Sequence, residues 1–179
     1  MAAAPHPRTE LAPQSSSLEN RERSSRRTVV TRLSFAASPR RVWDTIMFYE
    51  QIDERPPWYL RWLLPIPLGT EGEKTAVGDE ARCLYEGGYL IKRVTRVEPE
   101  ELYEFEVCEQ DLHFGGGMVL SGGSYVLTAR GDGATEVELT TRYRHGRRPG
   151  WLFAPIEGAV CHAFHRHILR AMRRVAEKH

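Results

Sequence analysis

The stretch "GGSYVLTARGDGATEVELTTRY", residues 122–143, decides how this chain folds. Gly131-Asp132-Gly133 is a turn signal between two segments of strand character. In the second segment Val137, Leu139, Thr141 and Tyr143 share one parity, and Glu136, Glu138, Thr140 and Arg142 the other. Side chains alternate faces along a strand, so the pattern predicts a hairpin with one face on a core and one in water.

Moving toward the N-terminus, the same texture repeats back to Val77. "ELYEFEVCE" (101–109) sets Tyr103, Phe105 and Val107 against Glu104, Glu106 and Cys108. "YLIKRVTRVEP" (89–99) precedes it, across a Pro99-Glu100 turn. "EARCLYEG" (80–87) puts Ala81, Cys83 and Tyr85 on one face, and Gly87-Gly88 closes that hairpin. "HFGGGMVLSGGS" (113–124) is a glycine-broken connection; with no helix start and no P-loop lysine it is not a phosphate cradle, and its glycines suit bulges or a flexible rim. Short-linked strands without helices between them predict an antiparallel meander.

Moving toward the C-terminus, a long amphipathic helix is predicted from near Trp151 or Pro155 to the end. Its stripe is Ile156, Val160, Phe164, Ile168, Ala171, Met172 and Val175, with Arg166, Arg170 and Arg173 opposite. At the other end, Val29, Thr31, Leu33 and Phe35 share a parity and predict a first strand. Ser38 as N-cap and Pro39 at the first helical position then open a short helix to about Phe48. Residues 1–27 hold only Leu11 and Leu18 as large apolar residues and are expected to be a disordered tail before a domain spanning 28–179. The predicted fold is α+β: a curved antiparallel sheet of about six strands wrapped around a long C-terminal helix, with short helical segments after the first strand. An internal cavity is expected between sheet and helix.

From Thr28 onward the chain resembles the START-like superfamily, also called SRPBCC or helix-grip proteins, and most of all its polyketide cyclase/dehydrase and lipid-transport branch. The resemblance rests on the order of "FAASPRRVWDTI", the "P.PLG…VGDEARC" entry to the second strand, "RVTRVEPEELYEFEV", the hairpin quoted above and "IEGAVCHAFHRHILRAMRRVAEKH". It implies a fold built to hold hydrophobic small molecules. It implies no single activity, because the superfamily has no universal catalytic motif.

Bulk composition narrows the partners. At 179 residues, 41% hydrophobic and 27% charged, the chain suits one well-filled core. A net charge of +1 gives no electrostatic footprint for nucleic acid. Cys83, Cys108 and Cys161 are odd in number and dispersed, which points to a reducing compartment. The twin arginine Arg26-Arg27 lacks the apolar run of an export signal, so a cytoplasmic location is expected. No cofactor motif occurs, and the oligomeric state is left open.

Candidate site residues follow from the faces. Extending the odd parity puts Tyr85, Tyr89, Arg93, Tyr103, Phe105, Thr141 and Tyr143 on the concave face, although Leu90 and Val94 compete for it. On the helix, Phe164 and Glu157 fall within the apolar stripe and His167 at its edge. A buried carboxyl needs a partner, so Glu157, His167 and Arg93 are the candidates for acid/base or orienting roles. "CHAFHRH" (161–167) suggests metal ligands by spacing, but by angle His162 faces out, His165 sits at the stripe's far edge and His167 at the other, so no metal site is expected. The stretch "RPPWYLRWLLPIPLG" (55–69) offers Trp58, Trp62 and Leu63 as a gate or plug over the pocket. Three functions fit: binding or transport of a lipid, polyketide or isoprenoid; cyclisation or dehydration of a polyketide-type substrate; and a protein-interaction or transient membrane contact through the tryptophans.

Overall fold

In the computed structural model, residues 26–47, 67–112, 117–145 and 150–178 are described. The elements are β1 (Arg26–Phe35), α1 (Pro39–Met47), β2 (Pro67–Gly72), β3 (Glu80–Tyr85), β4 (Gly88–Glu98), β5 (Leu102–Asp111), β6 (Val119–Ala129), β7 (Thr135–Arg144) and α2 (Gly150–Ala176). The sheet has seven strands in the order β1-β7-β6-β5-β4-β3-β2, all neighbours antiparallel. The seventh strand, β2, comes from the end of the proline-rich stretch, where Pro67 and Gly69 disguise a strand; a bulge falls between them. Proline is tolerated there because β2 is an edge.

The concave face and the two helices enclose the core. Thr135 donates its hydroxyl proton to the Ala37 carbonyl (2.7 Å), fixing the turn between β1 and α1. Val42 and Ile46 of α1 then pack with Phe35, Val137, Leu169 and Met172 in one apolar cluster. A second cluster joins Cys83, Tyr85, Leu90, Met118 and Tyr143 to Cys161 at the other end of the sheet. The convex face is a ladder of cross-strand ion pairs, including Arg32–Glu138, Arg142–Glu104 and Arg130–Glu136.

Register decides which side chains face inward, and β4 departs from the odd parity of its neighbours. Cys83 pairs with Leu90, and bulges shift the β4–β5 register between Ile91 and Lys92 and between Val94 and Arg96. Leu90, Lys92 and Val94 therefore share the inner face of β4. Gly122 matters at the next bulge, between Leu120 and Gly122. Its φ is +151°, and a Cβ there would stand 2.5 Å from the Phe105 carbonyl oxygen. Across the 113–116 connection, the Gln110 amide donates to the Leu112 and Met118 carbonyls and accepts from the Leu120 N–H.

The buried face of α2 keeps Val160, Ile168, Ala171 and Met172 of the predicted stripe and departs from it at the edges. Ile156 and Val175 are exposed, whereas Glu157, Cys161, His165, Leu169, Met172 and Ala176 are buried. That row mixes polar and apolar residues, so an apolar-only search finds only part of it.

Candidate functional site

Between the two apolar clusters lies a pocket of ≈ 70 Å³. The sheet contributes Tyr85, Leu90, Lys92, Phe105 and Tyr125 to its wall, and α2 contributes Val160, Cys161, Phe164, His165 and Ile168. Most of this wall is apolar. The polar groups are few: Lys92, whose Nζ lies 5.0 Å from the Phe105 ring centroid, Thr141, His165 and the tyrosine hydroxyls.

His165 is fully buried, and each ring nitrogen meets a hydroxyl. Nε2 lies 2.7 Å from Thr141 Oγ1 and Nδ1 lies 3.0 Å from Thr31 Oγ1. Thr31 Oγ1 is in turn 2.9 Å from His162 Nδ1. One hydroxyl has one proton and two lone pairs, so Thr31 can donate to at most one of the two imidazoles and can accept from the other. The result is a continuous chain from Thr141 at the pocket wall, through His165 and Thr31, to half-buried His162. Burial, with a smaller contribution from His162, lowers the His165 pKa to about 4, which keeps its imidazole neutral at pH 7. Burial likewise pushes the Cys161 thiol up to about 11, so it stays a thiol and not a nucleophile.

A second polar group sits one helical turn toward the N-terminus of α2. Arg27 donates its Nε–H to His145 Nε2 (3.1 Å). That leaves the ring proton on Nδ1, which donates to Glu157 Oε2. Tyr143 meets His145 edge-on, with ring centroids 5.9 Å apart. Burial, and then the neighbouring Glu157, raise the Tyr143 pKa.

The sequence-predicted residues distribute unevenly. Tyr85, Phe105, Thr141 and Phe164 line the pocket. Glu157 is buried beside Tyr143 and His145, adjoining the pocket and not lining it. Tyr103 is buried in the first apolar cluster, edge-on to Trp43. His167 is half-buried and absent from the pocket wall. Two placements on the concave face are corrected. Arg93 lies outside, 47% exposed, bonded to Glu80 and Glu106. Tyr89 lies outside too, donating to Glu109 beneath the Arg82 guanidinium. The cause is the odd–even register between β3 and β4. Trp58, Trp62 and Leu63 lie outside the described residues. His165 and Lys92 were missed: the first stands at the far edge of the predicted stripe, and the second has the wrong parity for the neighbouring strands.

Among the described residues no three His, Cys, Asp or Glu side chains converge to hold a metal, and no helix is long and apolar enough to cross a membrane. No protein-family model and no curated protein sequence matches the chain. Solved structures do match in shape. The ZhuI aromatase/cyclase from Streptomyces sp. R1128 aligns at TM-score 0.60 and 15% identity, covering 85% of this chain and 94% of its own. A START superfamily protein from Mycobacterium smegmatis aligns at 0.60 and 14%, covering 84% and 97%. Ara h 8.0201 aligns at 0.55 and 13%, covering 84% and 97%. At these identities the likeness is one of architecture, and it agrees with the seven-stranded sheet gripping α2: the chain has the START-like, helix-grip fold.

Proposed function

We propose that this protein binds a mainly hydrophobic small molecule between the concave sheet and α2. The observation that carries the reading is the composition of the pocket wall: apolar side chains from both clusters, interrupted by Lys92, Thr141 and His165. An apolar cavity with a few convergent polar groups is the usual make-up of a ligand site. The present volume of ≈ 70 Å³ admits only a small part of a lipid-sized molecule, against about 300 Å³ or more for drug-sized sites. Phe105 and Phe164 are only half-buried and are the walls that would part. Burial of the ligand would supply affinity at about 25 cal/mol per Å² of apolar area. Native mass spectrometry of the purified protein, with identification of what co-purifies, tests this. A stoichiometric apolar ligand, lost when Val160→Trp fills the pocket, is expected; a folded protein that retains no apolar compound and takes up none overturns it.

A second reading, cyclisation or dehydration of a polyketide-type substrate, is favoured by the hydrogen-bonded chain from Thr141 to His162. His165 would serve there as a relay, passing a proton between Thr141 at the wall and Thr31, which leads on to half-buried His162. Turnover of a poly-β-keto thioester that is lost in His165→Gln with binding retained would select this reading; binding without turnover selects the carrier. Transient membrane contact through Trp58 and Trp62 stays a proposal of the sequence, tested by liposome binding of Trp58→Ala and Trp62→Ala.

A further inference from the structure

Among the described residues, two buried side-chain oxygens have no hydrogen-bond partner: Thr70 Oγ1 and Glu157 Oε1. They are not equivalent. A threonine hydroxyl is neutral and can rotate, whereas a carboxyl oxygen left without a donor carries a larger desolvation cost. Glu157 is 1% exposed, and its other oxygen, Oε2, is taken by His145. Its position relates it to the pocket. Glu157 lies four residues before Cys161 on α2, and Tyr143 lies two after Thr141 on β7; Cys161 and Thr141 both line the pocket. Glu157 and Tyr143 therefore form the next layer at the end of the pocket nearest the start of α2.

We propose that Glu157 Oε1 is the polar anchor of this site, and that the ligand is an amphiphile carrying a hydrogen-bond donor, a hydroxyl or an amine, at one end of an apolar body. The inference rests on the ligand-binding reading above and adds the chemical class and orientation of the ligand. The apolar body lies among Leu90, Phe105, Phe164 and Ile168, and the donor end points to Glu157. The tautomer of His145 gives the anchor its sense. Arg27 occupies Nε2 as donor, so Nδ1–H must be accepted by the side chain at position 157. In Glu157→Gln the amide oxygen has to serve His145, which turns the N–H₂ toward the ligand. The open position then changes from acceptor to donor.

Two isomers separate these cases: octan-1-ol, which can donate, and heptyl methyl ether, which can only accept. Affinities are read by NMR titration of the full-length protein. The wild type is expected to prefer the alcohol about tenfold, the worth of one net hydrogen bond. In Glu157→Gln that preference should vanish, because an N–H donates equally well to either oxygen. Glu157→Leu, which removes the orphan oxygen altogether, should lose the preference for the alcohol and turn toward the ether, which has no O–H to leave unpaired, and serves if the glutamine variant does not fold. Equal affinity of the two isomers for the wild type overturns this inference and leaves the apolar site standing. A preference that survives in both variants also overturns it, placing the donor's partner elsewhere. Failure of both isomers to bind overturns this inference together with the ligand-binding reading.

Discussion

The two halves of α2 lie under the same sheet and bury the same row of positions, yet they differ in kind. From Leu169 to Ala176 the row is Leu169, Met172 and Ala176, packed against Phe35, Val42 and Val137. From Glu157 to His165 it is Glu157, Cys161 and His165, set among tyrosines, threonines and a histidine. The C-terminal half has close apolar packing, and its contribution to folding is burial. The N-terminal half holds polar groups in fixed hydrogen bonds beside a pocket, where water is excluded and each bond is costly to break. One helix thus separates apolar packing from buried hydrogen bonding along its length.

The largest test of that division is Leu169→Ala. Leu169 is 0% exposed in the dry half, so truncation should cost about 2–5 kcal/mol of stability, read by chemical denaturation, with ligand affinity unchanged per folded molecule. A loss of affinity without a loss of stability would break the comparison.

Acid should act on the other half. The folded state holds His165 near pKa 4 against an ordinary 6.5, so between these values the unfolded chain binds the extra proton. Stability is therefore full above pH 6.5 and falls as pH drops toward 4. Each pH unit is worth about 1.4 kcal/mol, so the whole loss is on the order of 3 kcal/mol. Denaturation curves from pH 7 to pH 4 check this, and His165→Gln should flatten them over that window.

A smaller effect is expected at Thr31. Thr31→Val leaves one contact of each of His162 and His165 unmade, at about 1–3 kcal/mol for the buried partner. It should also break any proton path between those rings, so a pH–rate profile of a turned-over substrate would shift more than the melting midpoint. Smallest of all is Arg93→Ala. Its guanidinium is exposed on the convex face, and its removal should leave octan-1-ol binding unaltered. A loss of binding there would place Arg93 back inside.

These contrasts also explain what was legible in the sequence. In β5 and β7 the sequence alternates because one face is wet, so Tyr103, Val137 and Tyr143 are placed inward from pattern alone. In β4 the parity is set by pairing with β3 and by two bulges, which no single-strand pattern contains; hence Tyr89 and Arg93 were misplaced and Lys92 overlooked. The stripe of α2 is legible only in part, for a different reason. An apolar search rewards Ile156 and Val175, while the buried row there includes Glu157 and His165, whose burial is compensated by partners distant in sequence: His145, Thr141 and Thr31. A site made of long-range hydrogen bonds leaves little local signal.

The pairing of the first strand with the last has a consequence for how the molecule comes into being. β2 to β7 are joined by neighbours along the chain, but β1 docks on β7, with Arg26 opposite Arg144 and Phe35 opposite Thr135. During synthesis β1 emerges first and must wait for more than a hundred residues before its partner exists. Closing so long a loop is the slow, entropically expensive step for such a topology. Thr31 travels on that strand, so His165 and His162 are joined only when the sheet is complete. The apolar half waits on the same pairing, because Phe35 at the end of β1 packs with Leu169 and Met172 of α2.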